Sequence, residues 1–327
     1  MSSDLRFSAN INTFNACADR YVLSGYGQRA TVEEMIESAT KVPSLTGVEV
    51  VGLWHVNDGN VDDVNRRIHD AGLAVTCVTP DIWAQAKWGR GSFASNDPAI
   101  RRAAIDEVKK SMNWAKQMSC EVVDLWFGQD GYDYPLCTDY AAAWDRIIEG
   151  TIECAEHLPE VKLVIEYKPK EPRAHCHVGT VGNTLLLLQQ VNKANVGAMI
   201  DVGHALMAYE NTAESAAMLQ RFGRKLLYMH FNDNWRLWDD DMTAGSVHTI
   251  ELLELLYWLD RTGYAGWYAL DIFPYREDGV RAATESIRWI QALHGALDRI
   301  GRDRVSEVIA SGDALAASAM VREAMFG

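Results

Sequence analysis

Residues 163–167 read LVIEY, 197–201 GAMID, 226–230 LLYMH and 267–271 WYALD. Each is a short apolar run, and each closes on or beside an ionisable residue: Glu166, Asp201, His230 and Asp271. Near-continuous apolar runs of this length are what parallel strands look like when both faces of the sheet are buried. Between and after them lie stretches of helical spacing at Thr184–Val191, Thr212–Phe222 and Thr249–Arg261. The same alternation extends back towards the N-terminus. It predicts strands at Arg6–Ile11, Gly47–Leu53, Leu73–Thr79 and Glu121–Phe127, ahead of Lys162–Tyr167, Val196–Asp201, Leu226–Phe231 and Trp267–Ile272. Helices are expected at Thr31–Ala39, Val61–Ala71, Pro98–Gln117 and Thr138–Glu156. Thr31 followed by Glu34 reads as a capping box, and Thr249 ahead of Glu251 as another helix start. Eight strands alternating with helices predict an α/β fold of the (β/α)8 TIM-barrel type. The barrel is placed at residues 1–291 and a C-terminal helical extension at 292–327, with a helical pattern to Ile300 and a tail from Arg302.

Composition supports one sizeable core. Of 327 residues, 48% are apolar and 23% charged, which is ordinary globular usage and excludes a disordered or fibrous chain. The 31 Lys+Arg against 45 Asp+Glu leave a net charge of -14 with no basic cluster, so nucleic acid and anionic membranes are poor partners. The start, MSSDLRFSANIN, lacks a basic region followed by an apolar run, and no stretch reaches the roughly 18 apolar residues needed to span a bilayer. A cytoplasmic protein is expected. Six cysteines without CxxC spacing are read as free thiols.

In a barrel of this type, reactive groups project from the C-terminal ends of the strands. Here the ends of strands five to eight carry Glu166, Asp201, His230 and Asp271. A strand-end Asp or His taken singly usually caps a helix or bonds a loop; four in successive units converge. Three carboxylates and one imidazole would repel without a cation, and oxygen donors with one nitrogen suit Mg²⁺, Mn²⁺ or Co²⁺. His204 follows Asp201 in DVGH, and Asp239, Asp240 and Asp241 follow in HFNDNWRLWDDDM. Read alone, the triple aspartate is a solvated acidic loop. After His230 it offers a second cation Asp239 and Asp241 on one side, with His204 and a bridging carboxylate, while Asp240 faces away.

Lys168 alternates onto the face of Glu166, where an ammonium would stabilise negative charge developing on a substrate oxygen. His55, with Asp58 nearby, is a candidate proton shuttle oriented by a carboxylate, against the blander reading of a solvated loop histidine. Trp54, Trp83, Trp88, Phe93, Trp126, Phe127 and Trp235 gather after the strands, and such rings present apolar faces to the C–H faces of a sugar.

With these residues assembled, the chain resembles the xylose-isomerase-like TIM-barrel superfamily and is most similar to its bacterial rhamnose-isomerase-like branch. The resemblance covers Arg6 to Gln291 and rests on EYKP at 166–169, DVGHA at 201–205, HFNDN at 230–234 followed by DDD, and Asp271. It implies that Glu166, Asp201, His230 and Asp271 hold a structural metal, and that His204, Asp239 and Asp241, bridged by Asp201, hold a catalytic one. It implies further that Lys168 contacts the oxygen at C1, that His55 opens the sugar ring, and that Trp126 walls the pocket; Trp88, Phe93 and His204 complete the expected substrate contacts. One or two divalent cations per subunit (Mn²⁺, Mg²⁺ or Co²⁺), a free sugar such as rhamnose, apiose or a pentose, and a homodimer or homotetramer follow as expectations.

The implied reaction is aldose–ketose isomerisation by hydrogen transfer between C1 and C2. Its nearest rival is a ketose 3-epimerase, which exchanges protons at C3 between carboxylates after strands five and eight. Asp271 is short for that task, and Lys168, His204 and the aspartate loop would be idle in it. Endonuclease-IV-like repair barrels share the fold but need a phosphate-binding surface, which the charge of -14 disfavours.

Overall fold

The computed structural model describes residues 5–223 and 225–326. Eight parallel strands close into a barrel: β1 (Phe7–Asn10), β2 (Leu45–Val51), β3 (Ala74–Thr79), β4 (Val122–Trp126), β5 (Lys162–Glu166), β6 (Val196–Asp201), β7 (Leu226–Phe231) and β8 (Tyr268–Leu270). Every strand pairs with its sequence neighbours, and β1 closes the ring against β8. Surrounding helices are α1 (Val32–Thr40), α2 (Val61–Asp70), α3 (Pro98–Gln117), α4 (Tyr140–His157), α5 (Val181–Val191), α6 (Val202–Met207), α7 (Thr212–Arg221), α8 (Thr249–Thr262) and α9 (Gly279–Ile300). The extension is α10 (Arg302–Ser311) and α11 (Ala314–Phe326).

Side-chain alternation explains how one strand serves both core and site. Inward residues Val122, Val164, Met199, Tyr228 and Ala269 pack with Cys77 into an apolar floor inside the barrel. Two residues further along the same strands stand Asp124, Glu166, Asp201, His230 and Asp271. The site is the next layer of side chains above this floor. Outward-facing residues such as Val48, Val123, Ile165 and Ile200 pack with the helices into the main core.

Local rules set the helix starts. Thr31 and Glu34 form the expected capping box. Asp97, Asp139, Thr180, Asn211 and Asp278 also cap helices through their side chains. Thr249 does not cap α8: His248 holds that position without a side-chain bond, and the Thr249 hydroxyl donates to the Gly245 carbonyl at 2.7 Å. The short α6 was not legible in advance. The helical pattern read through Ile300 is α9, which crosses residue 291 without a break, and α10 and α11 follow it. Val305, Met320 and Ala324 bury against the chain's own core, and Arg302 pairs with Asp260 at 2.6 Å. All six cysteines are free, and no described helix is long and apolar enough to cross a membrane.

At the mouth, Gly131–Tyr132 pairs antiparallel with His175–Cys176 and ties the loop after β4 to the loop after β5. A Cβ at Gly131 would lie 1.9 Å from the His175 carbonyl oxygen, so the close approach requires glycine. Lys168 leads into this strapped loop.

Candidate metal centre

Glu166, Asp201, His230 and Asp271 come together as expected, with one donor atom from each lying within 4.8 Å of all the others. His230 Nδ1 faces Glu166 Oε1 at 3.2 Å, Asp271 Oδ2 at 3.7 Å and Asp201 Oδ2 at 3.8 Å. Amides steady the carboxylates. Asn232 Nδ2 donates to Asp201 Oδ2 at 2.8 Å, and Asn10 Nδ2 donates to Asp271 Oδ1 at 3.1 Å. Asn232 also accepts from the Gly203 amide at 2.7 Å; a Cβ at Gly203 would meet its oxygen at 2.8 Å, so α6 approaches closely only because that residue is glycine.

The electrostatics suit a cation here. Burial, reinforced by neighbouring carboxylates, pushes Asp271 and Asp201 above the usual carboxylate range despite His230. Burial acts the same way on Glu166, but His230 and His204 outweigh it and hold that carboxyl down. His230 is raised by Glu49, Glu166 and Asp271 against the opposing effect of burial.

A second group lies beside the first and shares Asp201 with it: Asp201, His204 and Asp239 also bring donor atoms within 4.8 Å of one another. His204 Nε2 is 2.9 Å from Asp239 Oδ2, and Lys168 Nζ donates to the same oxygen at 2.6 Å. Asp239 Oδ1 and His204 Nδ1 are buried without hydrogen-bond partners. Nδ1 does lie 3.3 Å from Glu166 Oε1, but not in hydrogen-bonding geometry. Unpartnered buried ligand atoms beside clustered carboxylates suit a cation, so the first group fits one divalent ion and the second group has the donor set for another. Asp241 lines the cavity but stands outside the second group; burial and the charges of Asp239 and Asp271 raise its carboxyl. Asp240 faces away and accepts from the Trp235 amide at 3.1 Å.

Lys168 is buried, paired with Asp239, 3.6 Å from Glu171 and 5.2 Å from the Trp126 ring centre. The cavity above the cluster has a volume of about 210 Å³ and suits one small ligand. Its apolar wall is a row of indoles. Trp54 and Trp83 have ring centres 5.9 Å apart, Trp83 and Trp126 5.1 Å apart, and Phe273 adds a further face. A larger hollow of about 540 Å³ opens at the other end of the barrel, around Arg6 and Trp267. Its charges are already engaged, Lys162 with Glu121 at 2.8 Å and Arg6 with the Ala265 carbonyl at 2.6 Å, and barrel chemistry belongs to the opposite face.

Three expectations require correction. Trp88 and Phe93 do not line the cavity: both are fully buried, and Phe93 packs edge-on against Phe127 at 5.3 Å. His55 is no exposed proton shuttle. It is buried, its Nδ1 accepts from the Val51 amide at 2.9 Å, and Nε2 is 3.1 Å from Asn12 Oδ1. Burial pushes the ring down to about 3, so it stays neutral and props Asn12, which does line the cavity. Asp58 is committed elsewhere, to Lys110 and Trp114.

Sequence reading missed Glu49 and Asp124. Both are buried carboxylates inside otherwise apolar strands, VEV and VVDLW, and that isolation was the available signal. Asp124 lines the cavity with an unpartnered Oδ1; burial and the adjacent Glu166 raise its carboxyl.

A closed (β/α)8 barrel with a carboxylate–histidine cluster at its C-terminal mouth defines the class. Residues 43–293 match the family model described as xylose isomerase-like TIM barrel, and the chain belongs to that family. Similar solved structures include an L-ribulose 3-epimerase (TM-score 0.70, 15% identity, 93% of this chain and 98% of that one). Others are a D-psicose 3-epimerase from Clostridium cellulolyticum H10 (0.68, 16%, 88% and 99%) and a 3-keto-D-glucoside 4-epimerase from E. coli (0.68, 14%, 88% and 99%). At these identities the likeness concerns the fold.

Proposed function

We propose that the protein is a divalent-metal-dependent aldose–ketose isomerase acting on an unphosphorylated sugar. The observation that carries this reading is the Lys168–Asp239–His204 cluster, joined through Asp201 to the four-residue group. Glu166, Asp201, His230 and Asp271 would hold one cation and Asp201, His204 and Asp239 another; when bound, they supply Lewis acidity towards a carbonyl and its neighbouring hydroxyl.

The chain's own residues do the rest. Lys168 keeps its proton beside Asp239 and places a fixed positive charge where negative charge grows on the substrate's terminal oxygen. Trp54, Trp83 and Trp126 cover the C–H face and exclude water. Among the described residues lining the cavity Lys168 is the one lysine or arginine, and that ammonium is already paired, which argues against a sugar phosphate.

A second reading, ketose 3-epimerase, is favoured by the names of the similar structures, among them an L-ribulose and a D-psicose 3-epimerase. In it, Glu166 and Asp271 would serve opposite faces of C3, leaving the Lys168 cluster without a chemical task. Incubation with free aldoses and ketoses, followed by ¹³C NMR, separates the two. Exchange between C1 and C2 supports the isomerase; inversion confined to C3 establishes the epimerase.

A further inference from the structure

We infer that Glu49, a residue outside the substrate cavity, is a positioning residue for the metal centre: it fixes the ring orientation and tautomer of His230. The inference rests on reading Glu166, Asp201, His230 and Asp271 as a metal site.

The two ring nitrogens of His230 keep different company. Nδ1 faces the three carboxylates of the cluster. Nε2 points along the barrel interior to Glu49 Oε2 at 3.1 Å. Glu49 sits mid-strand in β2, 1% exposed, and among the described residues its ion-pair partner is His230. Its other oxygen is also held: the Tyr228 hydroxyl donates to Glu49 Oε1 at 2.7 Å. Tyr228 lies 2.9 Å from Thr76 Oγ1, which donates to the Val48 carbonyl at 3.2 Å and sits 2.6 Å from Ser8 Oγ. Four strands, β1, β2, β3 and β7, thus converge to hold one carboxylate beneath one imidazole.

A buried carboxylate is costly to keep in an apolar barrel, and satisfying both of its oxygens makes it rigid. An imidazole that donates Nε2–H to such a group presents its lone pair at Nδ1, the nitrogen facing the cluster, and becomes a stronger donor there. A ring flip would take Nδ1 away from the cluster and Nε2 away from Glu49, leaving that carboxylate with the Tyr228 hydroxyl alone. Glu49 touches neither substrate space nor the cluster's donor oxygens, so its influence passes through His230.

The test is Mn²⁺ titration of the full chain, stripped by chelation, with free Mn²⁺ read from its EPR signal, alongside the Co²⁺ ligand-field spectrum. Glu49→Gln keeps the shape and removes the charge; the expected result is Mn²⁺ binding weakened about 10- to 100-fold and shifted Co²⁺ bands. Tyr228→Phe should weaken binding in the same direction by less. Val48→Ala loosens the opposite face of the same strand and should lower Tm while leaving affinity and bands unchanged. Wild-type affinity and bands in Glu49→Gln overturn the inference, as does an equal loss in Val48→Ala. Should Glu49→Gln fail to fold, unchanged binding in Tyr228→Phe overturns it instead. If the wild-type chain binds no Mn²⁺, the metal reading itself fails and takes this inference with it, an outcome distinct from the others.

Discussion

Replacing Lys168 with methionine tests the second group of side chains most severely. Methionine keeps much of the stem beneath Trp126 and removes the ammonium. Asp239 then stays buried without the partner that now sits 2.6 Å away. Removing one member of a buried pair costs about 3–5 kcal/mol. His204 Nε2 remains at 2.9 Å from the same oxygen, so the lower end, about 3 kcal/mol, is expected. An unfolding entropy of about 2.1 cal/mol/K per residue amounts to about 0.7 kcal/mol/K for 327 residues, and the loss becomes a fall in Tm of about 4 °C. Turnover should fall about 10²- to 10³-fold, as when one preorganised charge partner is lost, with metal binding spared.

The pH dependence has a definite sign. Burial opposes the charge on Lys168, but Asp239, Asp241 and Glu171 raise its pKa above that of a free lysine. Its contribution is therefore complete below the unfolded lysine value of about 10.4 and is lost only as pH rises through the higher folded value. The lysine charge itself therefore adds no pH dependence to the difference between wild type and Lys168→Met below about pH 9. Calorimetry in EDTA and turnover with Mn²⁺ check these expectations. A Tm within about 1 °C of wild type, or most of the turnover retained, refutes the reasoning.

Three other outcomes are expected. At 100 times Kd, Mn²⁺ should stabilise the wild-type chain by about 2.7 kcal/mol, or about 4 °C; Asp271→Ala should lose at least about 2 °C of that gain in a thermal-shift assay at the same Mn²⁺ concentration, and an unchanged shift counts against the ligand set. Trp83→Ala removes the indole between Trp54 and Trp126 and should raise KM by about two- to tenfold with a smaller effect on kcat, as read by steady-state kinetics. His55→Phe strands the Val51 amide and should cost about 1–3 kcal/mol in urea unfolding near pH 7. Because the folded His55 titrates only near about 3 while an unfolded histidine takes its proton below about 6.5, wild type should lose about 2 kcal/mol from this residue by pH 5, and the variant should lack that acid-side loss.

The barrel was legible because each βα unit repeats the same apolar signature, and strand alternation carries a residue at a strand's C-terminal end into the mouth. Glu166, Asp201, His230 and Asp271 needed nothing beyond that rule. His204 was picked out by its place three residues after Asp201, although the α6 turn that carries it to Asp239 was not legible, and Asp239 by a loop that happened to fold back onto it. Asp241 in the same loop shows the limit: with φ at 48° its backbone departs from the extended geometry that spacing by two assumes, and its carboxylate stays out of the second group. Trp88 and Phe93 misled because aromatic density near a strand end does not encode a loop's path; the same stretch turns them into the core while Trp83 faces the cavity. His55 was misjudged because its neutrality comes from packing behind Asn12, a contact between residues 43 positions apart. Glu49 and Asp124 escaped notice because they stand mid-strand, where the end rule does not look.

In the proposed function, the clustered carboxylates and histidines at the barrel mouth form a divalent-metal centre for C1/C2 exchange. Its most direct test is ¹³C NMR of a panel of labelled free aldoses and ketoses with chelator-stripped protein, before and after Mn²⁺ is restored. No reaction is expected in the stripped protein, and aldose–ketose exchange on restoration. Exchange that proceeds in excess EDTA, or C3 inversion as the sole metal-dependent reaction, would contradict it.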